Sequence, residues 1–186
     1  MYNFVVVKTY ALPPVDKKEA LRYAGCKQAD NEVFELLSVC AREVEQIVSP
    51  RVCFARFSTE ALLQAFPKSK LLALRLKDCQ QAVVFAATIG LETDRRILQN
   101  ESQSIAKALL FQALGAERIE SLCNAFCKEI ENGLPRFSPG FGDFPLQAQK
   151  WIFQTLGVTK NIGVTLNESL LMTPTKSVTA IVPIKG

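Results

Sequence analysis

The amino-acid sequence predicts an α+β fold in which helices pack on a mixed, largely antiparallel twisted sheet. Helical and strand-like segments are mixed along the 186 residues without the regular strand–helix–strand alternation that is typical of parallel sheets. The continuous apolar run AVVFAA, residues 82–87, is typical of a central strand that is buried on both faces. Hydrophobic residues make up 48% of the chain and charged residues 22%, a composition that supports one globular domain over residues 1–186.

The N-terminal part, residues 1–50, is predicted to form one strand and two helices. Residues 4–7 have the apolar character of a short strand. Asp16 and Asp30 each precede a segment with helical spacing of apolar residues, so both are predicted to be N-caps. Pro50 is expected to end the second helix, since proline disfavours a helical conformation in the residue before it.

The remaining residues, 51–186, are predicted to form the core of the domain. Its strands are expected at residues 51–57, 69–76, 82–87, 161–166 and 177–184. Its helices are expected at 92–98, at 104–131 and after Asp143, which is predicted to cap that last helix. The long helix is predicted to bury one apolar stripe, formed by Ile105, Leu109, Ala113, Ala116, Ile119, Cys123, Phe126 and Ile130.

The composition excludes several classes of chemistry. The chain contains no histidine, which excludes Ser–His and Cys–His nucleophile pairs and histidine metal ligands. Its six cysteines include no CxxC pair and are expected to be reduced thiols packed in the core, so no metal site is predicted. A thiol-dependent enzyme using Cys79 or Cys123 is disfavoured, because no base is available to lower the thiol pKa.

Charge and hydropathy limit the classes of partner and the cellular location that are expected. The net charge of +4 is not concentrated in a basic stripe, so no nucleic-acid interface is predicted. No apolar run approaches the roughly 20 residues that span a bilayer, so no membrane segment is predicted. The first residues lack the pattern of a secretory signal, and a cytoplasmic protein is expected.

The stretch RFSPGFGDFPL, residues 136–146 (the proline–glycine loop), has two interpretations that its residues alone leave open. It can be a tight connection in which glycines permit positive φ and prolines fix the turn. It can also bind a small zwitterion that carries an aromatic base. In that case Arg136 binds a carboxylate through two parallel hydrogen bonds, and Phe141 offers its ring face to a base or a cation.

A second polar cluster, LNESLLMTPTKS at residues 166–177 (the hairpin segment), also has two interpretations. It can be a polar hairpin connection with Glu168 solvated. However, Met172 and Pro174 are apolar for a loop tip, and a carboxylate beside them could pair with an ammonium or sulfonium group.

These two stretches together resemble the activation domain of cobalamin-dependent methionine synthase. The family pattern is Arg-Pro-x-x-Gly-Tyr-Pro-x-x-Pro, followed some thirty residues later by Thr-Glu-Ser-x-x-Met-x-Pro-x-x-Ser-Val-Ser-Gly. Here RFSPGFGDFPLQAQKWIFQTL and IGVTLNESLLMTPTKSVTAI stand in the same order, and the resemblance covers residues 136–182. The segments LRYAG and FAATIG are more weakly similar to free-standing relatives of that domain.

The resemblance implies an activation-domain fold, binding of S-adenosylmethionine, and a role in the reductive methylation of an inactivated cobalamin. It implies that Arg136, Pro139, Gly140, Phe141 and Pro145 line the ligand loop, and that a facing wall is formed by Glu168, Ser169, Met172 and Pro174. It assigns no catalytic residue to this chain, because positioning the sulfonium and the reduced cobalt centre in line is most of the task.

The partners implied are a cobalamin-binding methionine synthase or corrinoid protein and a flavodoxin-like electron donor. The chain has no histidine to offer as an axial ligand, so the cobalamin is expected to be held by the separate protein. The alternative is a non-catalytic module that binds a ligand or docks on a corrinoid methyltransferase.

The sequence departs from the family pattern at three places. Phe141 stands in place of the family's tyrosine, which removes a hydroxyl, and Gly142 stands in place of the following proline. The family's domain continues past the position of Gly186 with an aromatic-rich segment. The pocket is therefore expected either to be incomplete or to be completed by a partner or by a second copy in a homodimer.

Overall fold

A computed structural model describes residues 4–26 and 28–186, which form an α+β fold as the sequence predicts. In chain order the elements are β1 (Val6–Thr9), α1 (Lys17–Tyr23), α2 (Asn31–Ile47), β2 (Arg51–Ser58), α3 (Thr59–Ala65), α4 (Lys70–Leu76), β3 (Cys79–Thr88), α5 (Glu92–Glu101), α6 (Ile105–Lys128), α7 (Ala148–Leu156), α8 (Val158–Ile162), β4 (Thr165–Leu166), β5 (Met172–Thr173) and β6 (Ser177–Lys185). Four strands form an antiparallel sheet in the order β1-β2-β3-β6, and β4 and β5 form a separate antiparallel hairpin.

The sheet separates two apolar cores, and α6 separates the second from a third. On one face, Ala82 and Val84 of β3 pack in a core with α3, α4, α7 and α8. On the other face, Val83 and Phe85 pack against α6. Beyond α6 lies a further core shared with α1, α2 and α5. The apolar run at β3 is therefore a central strand buried on both faces, as predicted, because side chains alternate between the two faces of a strand.

The helix caps of the N-terminal part are confirmed. The Asp16 carboxylate accepts hydrogen bonds from the backbone N–H groups of Lys18 and Glu19 at 3.0 and 3.1 Å. Asp30 accepts one from Val33 N–H at 2.8 Å. These short polar side chains satisfy backbone donors that the first turn of a helix leaves without partners.

The prediction of a strand at residues 69–76 is wrong, because this segment forms α4. Ser69 Oγ caps it by accepting a hydrogen bond from Leu72 N–H at 3.1 Å. Leu72 and Leu76, four residues apart, are buried on one face, whereas Leu74 is 69% exposed. Leucines at every second position match both a strand and part of a helix, and the serine cap with tertiary packing decides for the helix.

The apolar stripe predicted for the long helix is wrong at its N-terminal end. Ile105 and Leu109 are 80% and 52% exposed, and Leu110, Phe111 and Leu114 are buried instead. The difference arises because the first half of α6 packs on α2 and α5, and its second half packs on the sheet. A single stripe does not describe a helix that changes partners along its length.

Two further differences concern short elements. Residues 161–166 do not form one strand, since α8 continues to Ile162 and only Thr165–Leu166 are extended. Helix α3 follows β2 directly, with Ser58 as its N-cap, and the sequence analysis did not predict it. In the described part of the chain, no helix is long and apolar enough to cross a bilayer.

A buried ion pair fixes the segment before α1 onto α6. The Arg118 side chain is 1% exposed and donates hydrogen bonds to the carboxylate of its neighbour Glu117. It also donates to the backbone carbonyl of Pro13 at 2.6 Å. Pro13 and Pro14 lie between β1 and α1, so their carbonyls have no partners within a helix or strand and need donors from elsewhere in the fold. The Arg118 guanidinium supplies these donors and also neutralises the buried Glu117 carboxylate.

Replacing Arg118 with methionine is expected to destabilise the fold strongly. The substitution leaves the Glu117 carboxylate buried without its counter-charge, which costs about 3–5 kcal/mol. Urea unfolding followed by circular dichroism measures this loss. The double variant Glu117→Gln, Arg118→Met is the control and should lose less, because no buried charge remains. Equal losses in the two variants would contradict the assignment of the cost to the orphaned charge.

Candidate functional site

The chain just before the proline–glycine loop adds an irregular fifth strand to the sheet. Phe137 and Ile181 exchange two backbone hydrogen bonds, at 3.0 and 2.9 Å, along the outer edge of β6. Leu134 N–H also donates to the Pro183 carbonyl at 2.8 Å. Because the pairing is antiparallel, the chain after Phe137 heads toward the Ser177 end of β6. The loop is thus directed toward the end of β6 at which the hairpin segment joins it.

Backbone turns and one buried ring shape the proline–glycine loop. Gly140 and Gly142 have φ values of 88° and 58°, which glycine adopts at no steric cost. Gly140 N–H donates to the Phe144 carbonyl at 2.8 Å, which closes the turn. The Phe144 ring is buried in the core, whereas Phe141 is 59% exposed. The loop therefore presents an aromatic ring to solvent from a fixed base.

The prediction that Asp143 caps the following helix is wrong. Asp143 caps α4 instead, accepting hydrogen bonds from the N–H groups of Lys70 and Leu71 at 2.8 and 2.9 Å and from the Ser69 hydroxyl at 3.0 Å. Helix α7 begins only at Ala148 and has no side-chain cap. The carboxylate therefore ties the proline–glycine loop to an element that lies far from it in sequence.

Arg136 is half-buried against α6. Its Nη2 donates to Glu120 Oε2 at 2.5 Å and its Nη1 to Asn124 Oδ1 at 2.7 Å. The guanidinium also borders an open cavity of about 540 Å³, lined in addition by Cys127 and Leu134. The predicted carboxylate-binding group thus lies at a cavity wall and already has a carboxylate partner within the chain. No motif in the sequence pointed to Glu120 or Asn124.

The tip of the hairpin segment lies elsewhere on the surface. Glu168 and Ser169 are exposed, and Glu168 borders a cavity of about 330 Å³ that is also lined by Lys150 and Phe153 of α7. Leu170, with a φ of 63°, closes a tight turn between β4 and β5. Glu168 and Arg136 therefore line two separate cavities.

The apolar part of the hairpin segment is less exposed than its tip. Met172 is half-buried and packs against the core shared by the sheet with α7 and α8. Pro174 is buried and follows a cis peptide bond. The predicted wall residues thus fall into two groups, with Met172 and Pro174 against the fold and the other two in solvent.

Helix α6 contacts both segments. Arg136 of the loop binds Glu120 and Asn124, and Lys176 of the hairpin segment donates to Gln112 Oε1 at 2.6 Å. With a rise of about 1.5 Å per residue, Gln112 and Asn124 lie roughly 18 Å apart along the helix. The two segments are thus held at two separate positions on one rigid element.

The structure disfavours Cys53 and Cys123 as nucleophiles. All six cysteines are free. Burial raises the pKa of Cys53 to about 11 and that of Cys123 to about 12. A thiol with such a pKa stays protonated near neutral pH, and the reactive form is the thiolate. Cys53 and Cys123 therefore act as small apolar groups of the core.

Comparison with known proteins places the fold in a defined class. No protein-family profile and no curated protein matches the sequence. The fold is that of a methionine synthase reactivation domain. The crystal structure of the MetH reactivation domain bound to AdoHcy is similar with a TM-score of 0.73 and 16% sequence identity. The similarity covers 97% of this chain and 78% of that chain, and it confirms the fold that the resemblance implied.

The Asp143 cap is expected to make stability depend on pH. Hydrogen bonds from the N–H groups of Leu71 and Lys70 lower the pKa of Asp143 in the folded state. The cap therefore contributes fully above the unfolded-state pKa of about 3.9 and is lost as the pH falls through the lower folded-state pKa. Thermal unfolding of the wild type and of Asp143→Asn measures the effect, and the difference in Tm should shrink between about pH 6 and about pH 3.

The matched control is Asp78→Asn, at an exposed aspartate in the turn between α4 and β3. It should lower Tm less than Asp143→Asn at neutral pH. A difference between wild type and Asp143→Asn that stays constant across this pH range would contradict the assigned role of the carboxylate.

Proposed function

We propose that this protein binds S-adenosylmethionine and assists the reductive methylation of a cobalamin that a separate methionine synthase or corrinoid protein holds. The observation that carries the proposal is the fold similarity to a reactivation domain that was solved with AdoHcy bound. AdoHcy is what remains of S-adenosylmethionine after its methyl group has been transferred. The two sequence segments that resemble the activation domain both contact α6 in this fold, one through Arg136 and the other through Lys176.

The residues of the proline–glycine loop have the chemistry that this ligand needs. The Arg136 guanidinium is planar and suits the carboxylate of the amino-acid part. Phe141 offers an exposed ring for stacking against the adenine. The turn at Gly140 and Gly142 brings backbone groups to the surface without side chains in the way. The guanidinium, the exposed ring and the backbone groups of the turn together therefore fit an amino acid joined to a purine nucleoside.

The hairpin segment supplies the other contacts in this proposal. Glu168 is an exposed carboxylate that can attract the positive charge of an ammonium or sulfonium group. In the same segment Met172 is half-buried and keeps part of its apolar side chain accessible, and the buried Pro174 supports the backbone behind it. Bound S-adenosylmethionine would supply an electrophilic methyl group, and this chain would bind it, orient it and keep it accessible to the partner. Positioning alone lowers the barrier of such a transfer substantially.

One observation favours the alternative of a non-catalytic docking module. The Arg136 guanidinium already has two partners on α6, and a ligand carboxylate has to compete with Glu120 for it. If that ion pair persists, the loop acts as a surface for a partner protein. Affinity for the small ligand separates the two functions.

Replacing Arg136 with alanine is expected to weaken ligand binding if the proposal holds. Loss of a charged hydrogen bond costs about 1.5–3 kcal/mol, which raises the Kd by roughly 10- to 150-fold. Isothermal titration with AdoHcy and with S-adenosylmethionine measures the change. The control is Arg95→Ala, which removes another surface arginine that pairs with a glutamate. An affinity equal to that of the wild type, with docking on a corrinoid protein intact, would favour the docking module.

Replacing Phe141 with alanine tests the stacking contact separately. Truncating an aromatic side chain that stacks on a base costs about 1–3 kcal/mol, so the affinity for AdoHcy should fall clearly. Phe34→Ala is the matched control, because Phe34 is also a partly exposed phenylalanine and lies on α2. Phe141→Tyr should retain the ring contact and bind at least as tightly as the wild type. Equal affinity of Phe141→Ala and wild type would remove the loop ring from the site.

A further inference from the structure

The end of the hairpin segment is fixed much more firmly than its tip. Thr175 donates twice to the Asp94 carboxylate of α5, from its N–H at 2.7 Å and from its hydroxyl at 2.6 Å. The next residue, Lys176, accepts a hydrogen bond from Ile89 N–H on its carbonyl at 3.2 Å. At the tip, by contrast, Asn167 and Leu171 bond to each other. The geometry of the segment is therefore set at its C-terminal end.

The Lys176 side chain crosses α6 at the one glycine of that helix. A Cβ atom at Gly115 would lie 2.9 Å from Lys176 Cε, 3.0 Å from its Cγ and 2.9 Å from Thr93 Cγ2. Real Cβ atoms do not approach other heavy atoms so closely, so a Cβ at this position would displace the Lys176 stem or the Thr93 methyl group. Glycine inside a helix costs roughly 0.5–1 kcal/mol relative to alanine, so its presence indicates a packing need at this point.

The ammonium group of Lys176 is held as firmly as its stem. Its Nζ donates to Gln112 Oε1 at 2.6 Å, one helical turn before Gly115. Burial lowers the pKa of Lys176, and the nearby charge of Asp94 opposes that shift. The side chain is thus anchored along its length by α5 and α6.

Pro174 connects the anchored residue Lys176 to Met172, the other apolar residue of the predicted facing wall. The Ser177 hydroxyl donates to the Pro174 carbonyl at 2.7 Å and lies 3.0 Å from the Thr88 hydroxyl of β3. Residues 174–177 are therefore bound to α5, α6 and β3 within four positions. Met172 comes two residues earlier, where it pairs with Leu166 in the hairpin and packs against the core.

We propose that Lys176, seated on Gly115 of α6, is the positioning residue that sets the place of Met172 and Pro174 in the ligand site. This inference rests on the proposed function for its effect on affinity. Its structural part, the coupling of Lys176 to Met172, does not depend on any ligand. Lys176 acts through the wall residues and contacts no ligand itself.

The structural part is tested by methyl NMR. The sequence contains two methionines, Met1 and Met172, so labelling the methionine methyl groups gives one reporter within the wall. Lys176→Ala and Gly115→Ala should both move or broaden the Met172 resonance, since each unseats the lysine. Lys160→Ala, at an exposed lysine of α8, is the matched control and should leave the resonance in place. An unmoved Met172 resonance in both variants would overturn the proposal.

The effect on affinity is measured with AdoHcy by isothermal titration. Lys176→Ala should weaken binding about tenfold, or about 1.4 kcal/mol, because the wall residues lose their support. Lys176→Met keeps the aliphatic stem on Gly115 and should lose less affinity than Lys176→Ala. If the ammonium group instead binds the ligand directly, the two variants should lose the same affinity. If Lys176→Ala fails to fold, Asp94→Asn tests the same anchor through Thr175 and should move the Met172 resonance as well.

The two proposals fail in distinguishable ways. If the wild type binds no AdoHcy, the proposed function fails, and the Met172 resonance alone still decides whether Lys176 positions the wall. If the wild type binds AdoHcy and both Lys176 variants bind it equally well, the function stands and the positioning role is overturned.

Discussion

The packing of α6 between the sheet and the N-terminal helices is the contact on which the rest of the structure depends. One end of the helix lies among α2 and α5, and the other end covers the second face of the sheet. Its Arg118 holds the segment before α1, and Glu120 and Asn124 hold Arg136. A helix of 24 residues buried on two sides is a rigid reference against which loops can be placed. Both segments of the candidate site use it in that way.

The sequence could predict those elements whose local signals agree with their tertiary surroundings. The caps at Asp16 and Asp30 combine a favourable side chain with a following apolar periodicity, and both are found. The strand at residues 82–87 is apolar throughout and lies at the centre of the sheet, where no alternation is expected. The errors occur where a local pattern is compatible with two structures. At residues 69–76 the leucines suit a strand as well as a helix, and the helix is favoured by the Ser69 cap together with Asp143, which lies far away in sequence.

The candidate site could be predicted only as two pieces of sequence. The glycines and prolines of the loop indicate a turn, and the structure has that turn. The partners of Arg136 could not be predicted, because Glu120 and Asn124 look like ordinary solvated positions of an amphipathic helix. The same holds for Lys176, whose meeting with Gly115 depends on how α5, α6 and the hairpin segment pack. Long-range contacts of single side chains leave no periodic trace in a sequence.

The segment at residues 132–137 determines which strand of the sheet remains an open edge. It covers the outer edge of β6 through backbone hydrogen bonds from Leu134 and Phe137. At the opposite side of the sheet, β1 is exposed along its whole length and keeps its backbone groups on one side open to solvent. Within the described residues β6 is therefore covered by its own chain, whereas β1 has a neighbouring strand on one side only. An extended segment of another chain that adds to this sheet would therefore have to pair with β1.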